Sequence, residues 1–241
     1  MTRRRVQRGP LPAGKPRADM IDYNFDWSVI ARNWDKLTAA LTLGLTLAVI
    51  SLAIGSVLGL LTAYARLSPH RWLSTPAWLY VEFIRCTPLL LLIFFLYFGL
   101  PEFDITFLDK TQSFVLSLSL YAGAYMAEVF RAGLSSIPKQ YVEAAKAIGL
   151  RPWQRQAYVV LPVMFRITLP SIGNNLISLF KDTSLAAAIA VPELTFVARQ
   201  INANTFRVME VWLTASALYL VTAYLIAAML RLVERRYAAI R

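Results

Sequence analysis

Ionisable side chains within apolar segments are the residues of this sequence best placed to do chemistry. Arg85 lies in one such segment, and the pair Lys181–Asp182 is followed directly by Thr183 and Ser184 in another. A charge inside a bilayer costs several kcal/mol, so it usually faces a polar cavity or a partner of opposite sign. The sequence therefore predicts a candidate solute path at these positions.

Each of these charges also fits a purely structural interpretation. Glu82 and Arg85 stand at i and i+3 and could pair on one helix face. Alternatively, Arg85 lies beside the path, where Thr87–Pro88 breaks the helix. Lys181–Asp182 fits an interhelical salt bridge as well as a break in the helix that forms a solute site, because freed backbone groups need a polar cavity. The sequence leaves both interpretations open.

Other candidate residues favour structural roles. Glu128 has Arg131 as its i+3 neighbour, which predicts a local ion pair. Cys86 is the only cysteine, which excludes an intrachain disulfide and a cysteine cluster for metal; we expect it to be buried in the second span. His70 stands beside Arg71 in a short polar loop and is expected to be solvated. None of these residues indicates an enzyme.

The elements that must position the candidate path are membrane-spanning helices. The chain is 57% hydrophobic and only 16% charged, against about a quarter charged in soluble domains. A helix needs roughly 20 apolar residues to cross a bilayer. The apolar segments predict an all-α integral membrane domain over 23–237 with five spans, at about 37–65, 76–99, 111–131, 168–190 and 211–232.

Basic residues fall mostly in the loops on one side of these spans. The opposite loops hold only Lys110, Arg199 and Arg207. Because basic loops stay in the cytoplasm, the C-terminus is predicted to be cytoplasmic and the N-terminus extracytoplasmic. This placement explains the net charge of +11 better than nucleic-acid binding does, so we expect no nucleic-acid partner.

The first 22 residues predict a disordered basic tail, since they are rich in Arg, Pro and Gly without periodicity. Within the tail, GPLPAGKP (residues 9–16) nearly matches a phosphate-binding loop. Pro16 stands where that loop needs a Ser or Thr to ligate magnesium, and no strand precedes it. The chain is therefore expected to bind no cofactor itself.

A polar stretch between the third and fourth spans carries a family resemblance. EAAKAIGLRPWQRQAYVVLP resembles the EAA loop of bacterial ATP-binding-cassette importer permeases, with Val159 where isoleucine is usual. FIRCTPLLLLIFF, AEVFRAGLSSIP and SLFKDTSLAAAIAVPEL resemble the branch that carries polar amino acids of the histidine, arginine, glutamine and glutamate type. Cys86 and Gln140 replace glycines that are usual in this pattern.

This resemblance implies a function and a set of partners. The chain would be the permease subunit of an ATP-driven importer in the bacterial inner membrane, alternating between inward-open and outward-open states to move a polar amino acid into the cytoplasm. It would pair with a second permease subunit, identical or different, with two ATPase subunits that bind ATP and magnesium, and with an extracytoplasmic substrate-binding protein.

The resemblance also assigns residues to coupling. The loop at about 135–163 would dock on the ATPase subunit, and its small residues give a slim face that fits a groove. The predicted coupling residues are Glu143, Ala144, Ala145, Gly149, Arg151, Leu161 and Pro162. The predicted path residues are Arg85, Thr87, Lys181, Asp182, Thr183 and Ser184.

Three other functions stay open at this stage. One is an importer permease for another small solute. Another is an ion-driven secondary transporter, which predicts inverted repeats that five spans do not readily give. The third is a membrane anchor or sensor, which predicts a sizeable soluble domain that this sequence lacks.

Overall fold

The computed structural model describes residues 23–238, so the predicted tail at 1–22 lies outside the described residues. These residues form helices and loops and contain no strand. The α-helices are α1 Ser28–Arg32, α2 Trp34–Leu67, α3 Arg71–Cys86, α4 Leu89–Phe94, α5 Lys110–Ser135, α6 Lys139–Ala147, α7 Pro152–Arg155, α8 Leu161–Asp182, α9 Leu194–Thr205 and α10 Val208–Ala238. The predicted all-α class is confirmed over this range.

Three helices, α2, α5 and α10, are each long and apolar enough to cross a membrane alone. Two further crossings are bent pairs. Arg71–Cys86 and Leu89–Phe103 meet at 107°, and Pro152–Ile189 and Leu194–Thr205 meet at 49°. The first break falls at Thr87–Pro88, where proline cannot continue the helix. With each bent pair counted as one crossing, the total equals the five of the sequence prediction.

Helices α2 and α5 approach each other closely through two glycines. A Cβ added to Gly55 would lie 2.5 Å from the Cβ of Ala122, and one added to Gly59 would lie 2.6 Å from the Cβ of Met126. Such distances leave no room for any side chain, because small residues are what let helix backbones come together. The pair therefore serves packing within the chain, and it sets α2 and α5 as the centre of the bundle.

The main hydrophobic core lies where α8 packs against these two helices. Phe114, Met126, Phe130, Met164 and Phe180 are fully or almost fully buried there. A smaller core joins the start of α2 to α9 and α10; its buried members are Ile30, Leu37, Leu194, Ala198, Ile201, Val211 and Ala215. The fold thus has a second, separate cluster at the end of the bundle opposite α6.

The fourth crossing changes conformation after Asp182. A 3₁₀ segment, Thr183–Ile189, follows α8 and ends at Ala190, which has a left-handed φ of 59°. The Nζ of Lys110 donates to the Ala190 carbonyl at 2.8 Å, and Arg199 donates to the Ala187 carbonyl at 3.0 Å. Backbone groups freed by the break are thereby satisfied within the protein, as a membrane interior requires.

Helix α9 begins after this break with a buried carboxylate. Glu193 is 0% exposed and accepts hydrogen bonds from the backbone N–H groups of Thr195 at 2.9 Å and Phe196 at 2.8 Å. The Tyr219 hydroxyl donates to the same carboxylate at 2.8 Å. Glu193 therefore caps α9 and ties it to α10.

One local prediction is wrong. The sequence predicts a buried Cys86, but the side chain is exposed in the isolated chain. Cys86 is the last residue of α3, immediately before the bend at Thr87, and it lies off the helix face that buries Val81 and Ile84. The thiol therefore lies on the outer surface of the protomer.

The glycine contact between α2 and α5 gives a stability prediction. Gly59→Val places a branched side chain against the Met126 Cβ, and we expect it to lower the free energy of unfolding by about 1–3 kcal/mol through overpacking. Thermal unfolding in detergent measures the change. Val57→Leu on the same helix is the matched control, since Val57 is 61% exposed and should tolerate a longer side chain. Equal stability of both variants would contradict the close contact.

Candidate functional site

The polar loop after α5 is built around the short helix α6. Its C-terminal end is a Schellman motif: Gly149 N–H donates to the Lys146 carbonyl at 2.9 Å, and Leu150 N–H donates to the Ala145 carbonyl at 3.1 Å. Gly149 has a φ of 77°, a conformation that L side chains rarely adopt, and nothing lies within 4 Å of an added Cβ. Backbone geometry, rather than lack of space, therefore requires glycine here.

The predicted coupling residues do not share one surface. Glu143, Ala144, Gly149, Arg151 and Pro162 are exposed. Leu161 is half-buried, and Ala145 is only 3% exposed because it faces the protein's own interior. Ala145 therefore seats α6 on the bundle, whereas Ala144 on the neighbouring face is free for a partner.

Large exposed apolar side chains flank this helix, a feature that the sequence reasoning missed. They are Tyr141, Ile148, Trp153 and Tyr158, and Ile148 is 76% exposed. Clusters of exposed aromatic and aliphatic residues are typical of protein interfaces. Their number within so short a polar segment could have indicated this surface from sequence alone.

The loop is attached firmly to the membrane helices. The Tyr64 hydroxyl of α2 donates to the Gln156 side-chain oxygen at 2.9 Å. A cleft of about 620 Å³ lies beneath α6, with Tyr64, Lys139, Glu143, Lys146 and Gln156 in its wall. The chain then passes through a π-helical segment, Gln156–Val160, directly into α8. The path from α6 to α8 therefore runs through the turn at residues 148–151, then through α7 and the π-helical segment.

At the other end of α8 lies the second candidate site, a cleft between α5 and α8. It measures about 300 Å³ and is lined by Tyr121, Tyr125, Asn175, Lys181 and Asp182, among others. Tyr121 and Tyr125 also share a hydrogen bond of 3.2 Å. Within residues 23–238, neither Lys181 nor Asp182 forms an ion pair. The cleft thus combines a cation, a carboxylate, an amide and three hydroxyls, the third from Ser178, halfway along α5.

Arg85 belongs to the same region through an aromatic contact. Its guanidinium carbon lies 5.5 Å from the centroid of the Tyr125 ring, a cation–π distance. Among the described residues, Glu82 and Arg85 form no ion pair, so the local pairing interpretation finds no support. Arg85 is exposed in the isolated chain and stands next to the cleft rather than in the core.

The three hydroxyl residues on the predicted path are placed differently. Thr87 donates to the Phe83 carbonyl of its own helix at 2.7 Å. Thr183 is fully buried, donates to the Phe180 carbonyl at 2.7 Å and packs against Gly44. Ser184 is half-buried, and neither it nor Thr183 lines the cleft. The structure therefore places Lys181 and Asp182 together in the cleft, with Arg85 against the Tyr125 ring of its wall, and leaves these three hydroxyls out of the lining.

Sequence reasoning missed Tyr121, Tyr125 and Asn175. The two tyrosines stand at i and i+4 on α5 and therefore share one face, which was the available signal. Asn175 lies six residues before Lys181 on α8. Nothing in the local sequence sets polar residues of two different helices opposite each other.

At the end of the bundle that carries α6, Glu128 joins two helices. It accepts hydrogen bonds from Arg131, with the Nη2 at 2.8 Å, and it also forms an ion pair with Arg66 of α2. The predicted Glu128–Arg131 pair is thus confirmed, and Arg66 is a partner that sequence reasoning missed. Arg66 comes from the far end of α2, so only the fold reveals the contact.

Comparison with protein families gives one match over most of the chain. Residues 55–239 match the family described as the inner membrane component of binding-protein-dependent transport systems. Among curated proteins, the chain is 37% identical to the glutamine transport system permease protein of Escherichia coli strain K12, over 88% of this chain and 97% of that protein. It is 36% identical to the L-cystine transport system permease protein of Bacillus subtilis, over 87% and 90%.

Solved structures show the same fold. An amino acid ABC transporter crystallised with histidines matches with a TM-score of 0.81 and 28% identity, over 89% of this chain and 100% of that chain. The MetNI methionine transporter in an inward-facing conformation matches with a TM-score of 0.73 at 20% identity, over 86% and 98%. The second match shows the fold alone.

The Glu128 ion pairs give a testable prediction. Glu128→Gln removes the charge between two guanidinium groups of α2 and α5, so we expect the free energy of unfolding to fall by roughly 1–3 kcal/mol. Thermal unfolding in detergent measures this effect. Glu143→Gln is the control, because Glu143 is exposed and forms no ion pair with the described residues. A Glu128→Gln protein as stable as the control would contradict a stabilising role for these pairs.

Proposed function

The chain belongs to the family of inner membrane components of binding-protein-dependent transport systems, and we propose that it is the permease subunit of an importer for a polar amino acid. The family resemblance predicted from the EAA loop and three other motifs is confirmed by the family match and by curated relatives. The protein is a multi-pass component of the inner membrane and a transport subunit. We assign the binding of ATP and magnesium, and the hydrolysis of ATP, to a separate ATPase subunit.

The observation that carries the substrate class is the cleft between α5 and α8. An amino acid brings an ammonium and a carboxylate a few ångströms apart, and the cleft offers Asp182 and Lys181 as unpaired groups of opposite sign. Arg85 and the Tyr125 hydroxyl add a second cation and a hydrogen-bonding group at the rim. Charge-assisted hydrogen bonds of this kind are about twice as strong as neutral ones.

Coupling to the ATPase is proposed for the exposed face of α6 and its flanks. Ala144 and Glu143 are exposed there, and Ile148 is the most exposed of the large apolar side chains around them. Gly149 acts by closing the helix with its left-handed backbone, and Ala145 acts by seating the helix on the bundle. Arg151 and Pro162 are exposed at the loop's return, whereas Leu161 is the first residue of α8.

Helix α8 supplies the link between the two sites. It is one helix from Leu161 to Asp182, about 33 Å long at 1.5 Å per residue, with Pro170 inside it. A displacement of α6 by the ATPase would reach Lys181 and Asp182 along this helix. This geometry supports alternating access, in which the two ATPase subunits close on ATP and thereby move α8 against α5.

The partners and orientation follow from the same proposal. A second permease subunit, identical or different, completes the channel, and an extracytoplasmic binding protein delivers the substrate. The coupling loop and C-terminus face the cytoplasm, and the N-terminus faces outward. A permease for another small solute or an ion-driven transporter is not favoured, since the cited relatives are permeases of amino-acid systems.

The substrate proposal is tested by removing the cleft charges. Lys181→Leu, Asp182→Leu and the double variant should each lower uptake at least about tenfold, because losing a hydrogen bond to a charged group costs about 1.5–3 kcal/mol. Uptake of radiolabelled amino acids into proteoliposomes is measured beside complex yield and basal ATP hydrolysis. If the two charges only neutralise each other, the double variant should instead transport better than either single variant.

The coupling proposal is tested at Ala144, since any side chain at Gly149 strains the backbone whether or not the loop docks. Ala144→Glu places an unpaired charge on the docking face and should weaken co-purification of the ATPase and reduce uptake, because burying such a charge costs several kcal/mol. Ala144→Ser keeps the face slim and is the matched control. Wild-type uptake by a well-inserted Ala144→Glu protein would exclude this face from coupling.

A further inference from the structure

At the end of the bundle opposite α6, exposed apolar side chains surround a buried carboxylate. They come from the segment before α1 and from the turn between α9 and α10; these residues, here called the aromatic rim, are Tyr23, Phe25, Trp27, Phe206, Val208 and Met209. Their exposed fractions range from 38% for Tyr23 to 83% for Phe206. Six large apolar side chains exposed on one surface indicate a partner that covers them.

The rim is held together by polar contacts to Glu210, which is 0% exposed. The Tyr23 hydroxyl and the Asp26 backbone N–H both donate to its carboxylate, the latter at 2.8 Å. Arg207 donates to the Asn24 carbonyl at 2.8 Å and lies 3.7 Å from Glu210. These contacts tie the segment before α1 to the first turn of α10, so the two halves of the rim form one surface.

The rings of the rim are ordered and kept outside the core. Phe25 stands edge-on to Tyr23 at 5.0 Å and parallel to Trp27 at 5.8 Å. Phe206 ends α9 in the left-handed conformation, with a φ of 55°, where glycine or asparagine is usual. The fold therefore accepts backbone strain at a residue whose ring is directed into the surroundings.

We propose that the aromatic rim binds the lipid membrane, at the boundary between headgroups and acyl chains. The rim is continuous with an exposed apolar side of α10: Val208 and Met209 are followed along that helix by exposed Leu213 and Leu220. Helix α10 packs least against the protein of the three long spanning helices, with only 6% of its apolar window buried. A helix that is long and apolar enough to span a bilayer and is this exposed offers its surface to acyl chains, and that surface runs directly into the rim.

The composition of the rim fits this boundary. Tyrosine and tryptophan gather at membrane–water interfaces because each has an apolar ring and a polar atom. The polar groups of Tyr23, Asp26 and Arg207 are directed to Glu210 and to the backbone, while the rings remain free. The rim would therefore lie flat in the interface and set the depth of α10.

A nitroxide scan tests this proposal. Cys86 is the only cysteine, so Cys86→Ser gives a thiol-free permease in which one position at a time is replaced by cysteine and labelled. Labels at Phe25 and Met209 are studied in proteoliposomes containing the permease and its ATPase without binding protein. The references are Leu220, 71% exposed on α10, for the acyl region, and Glu102, exposed between α4 and α5 and outside the coupling face, for water.

The expected result is an interfacial depth for the rim. The ratio of collisions with oxygen to collisions with a water-soluble nickel chelate should exceed that at Glu102 by roughly threefold or more and fall below that at Leu220. A ratio equal to that at Glu102 would overturn the proposal. A second result would also overturn the proposal. If the labels are water-like and lose nickel collisions only when the binding protein is added, the rim is a protein-docking surface instead.

The carboxylate tie is tested in the same preparation. Glu210→Ala should shift the Phe25 label towards the water-like ratio while the Met209 label keeps its own. Tyr23→Phe should give a smaller shift in the same direction. If Glu210→Ala does not assemble, Tyr23→Phe tests the same contact in its place. Thr214→Ala, one turn further along α10, should leave both labels unchanged. An unchanged Phe25 label in Tyr23→Phe and Glu210→Ala would show that Glu210 does not hold the rim.

Discussion

A helix that stops inside a bilayer must satisfy its freed backbone groups within the protein, and this constraint governs the fourth crossing. Lys110 and Arg199 bind carbonyls of the 3₁₀ segment, and Glu193 binds the first N–H groups of α9. Each of these side chains lies outside the segment it serves. The break after Asp182 can therefore persist at that depth only because α5 and α9 are already in place.

The close contact of α2 with α5 makes this arrangement possible. Gly55 and Gly59 bring the two helices together, and α8 then packs against both through Met164 and Phe180. With α5 and α8 fixed side by side, Tyr121 and Tyr125 face Lys181 and Asp182 across a narrow cleft. Structural small residues thus determine where the polar site forms, although none of them touches it.

The sequence was informative where the signal is local. Apolar segments of about 20 residues predict five crossings, and the proline at position 88 marks a break, because length and proline geometry act on each segment alone. The EAA motif predicts the place of the coupling loop. The opposite burial of Ala144 and Ala145 was not predictable, since it depends on how α6 rests on helices distant in the chain. For the same reason, the contacts of Glu128 with Arg66 and of Tyr125 with Arg85 appear only in the fold.

The π-helical segment Gln156–Val160 has a consequence for the rotational phase of the chain. Each residue turns an α-helix by about 100°, so a π turn, which holds an additional residue, offsets the faces of the helices on its two sides by about that angle. The faces of α7 and α8 are therefore offset by an angle that a regular α-helix would not give. Converting this segment to regular α-helix would rotate α8 about its own axis relative to α7, and so change the face that Lys181 and Asp182 present to Tyr121.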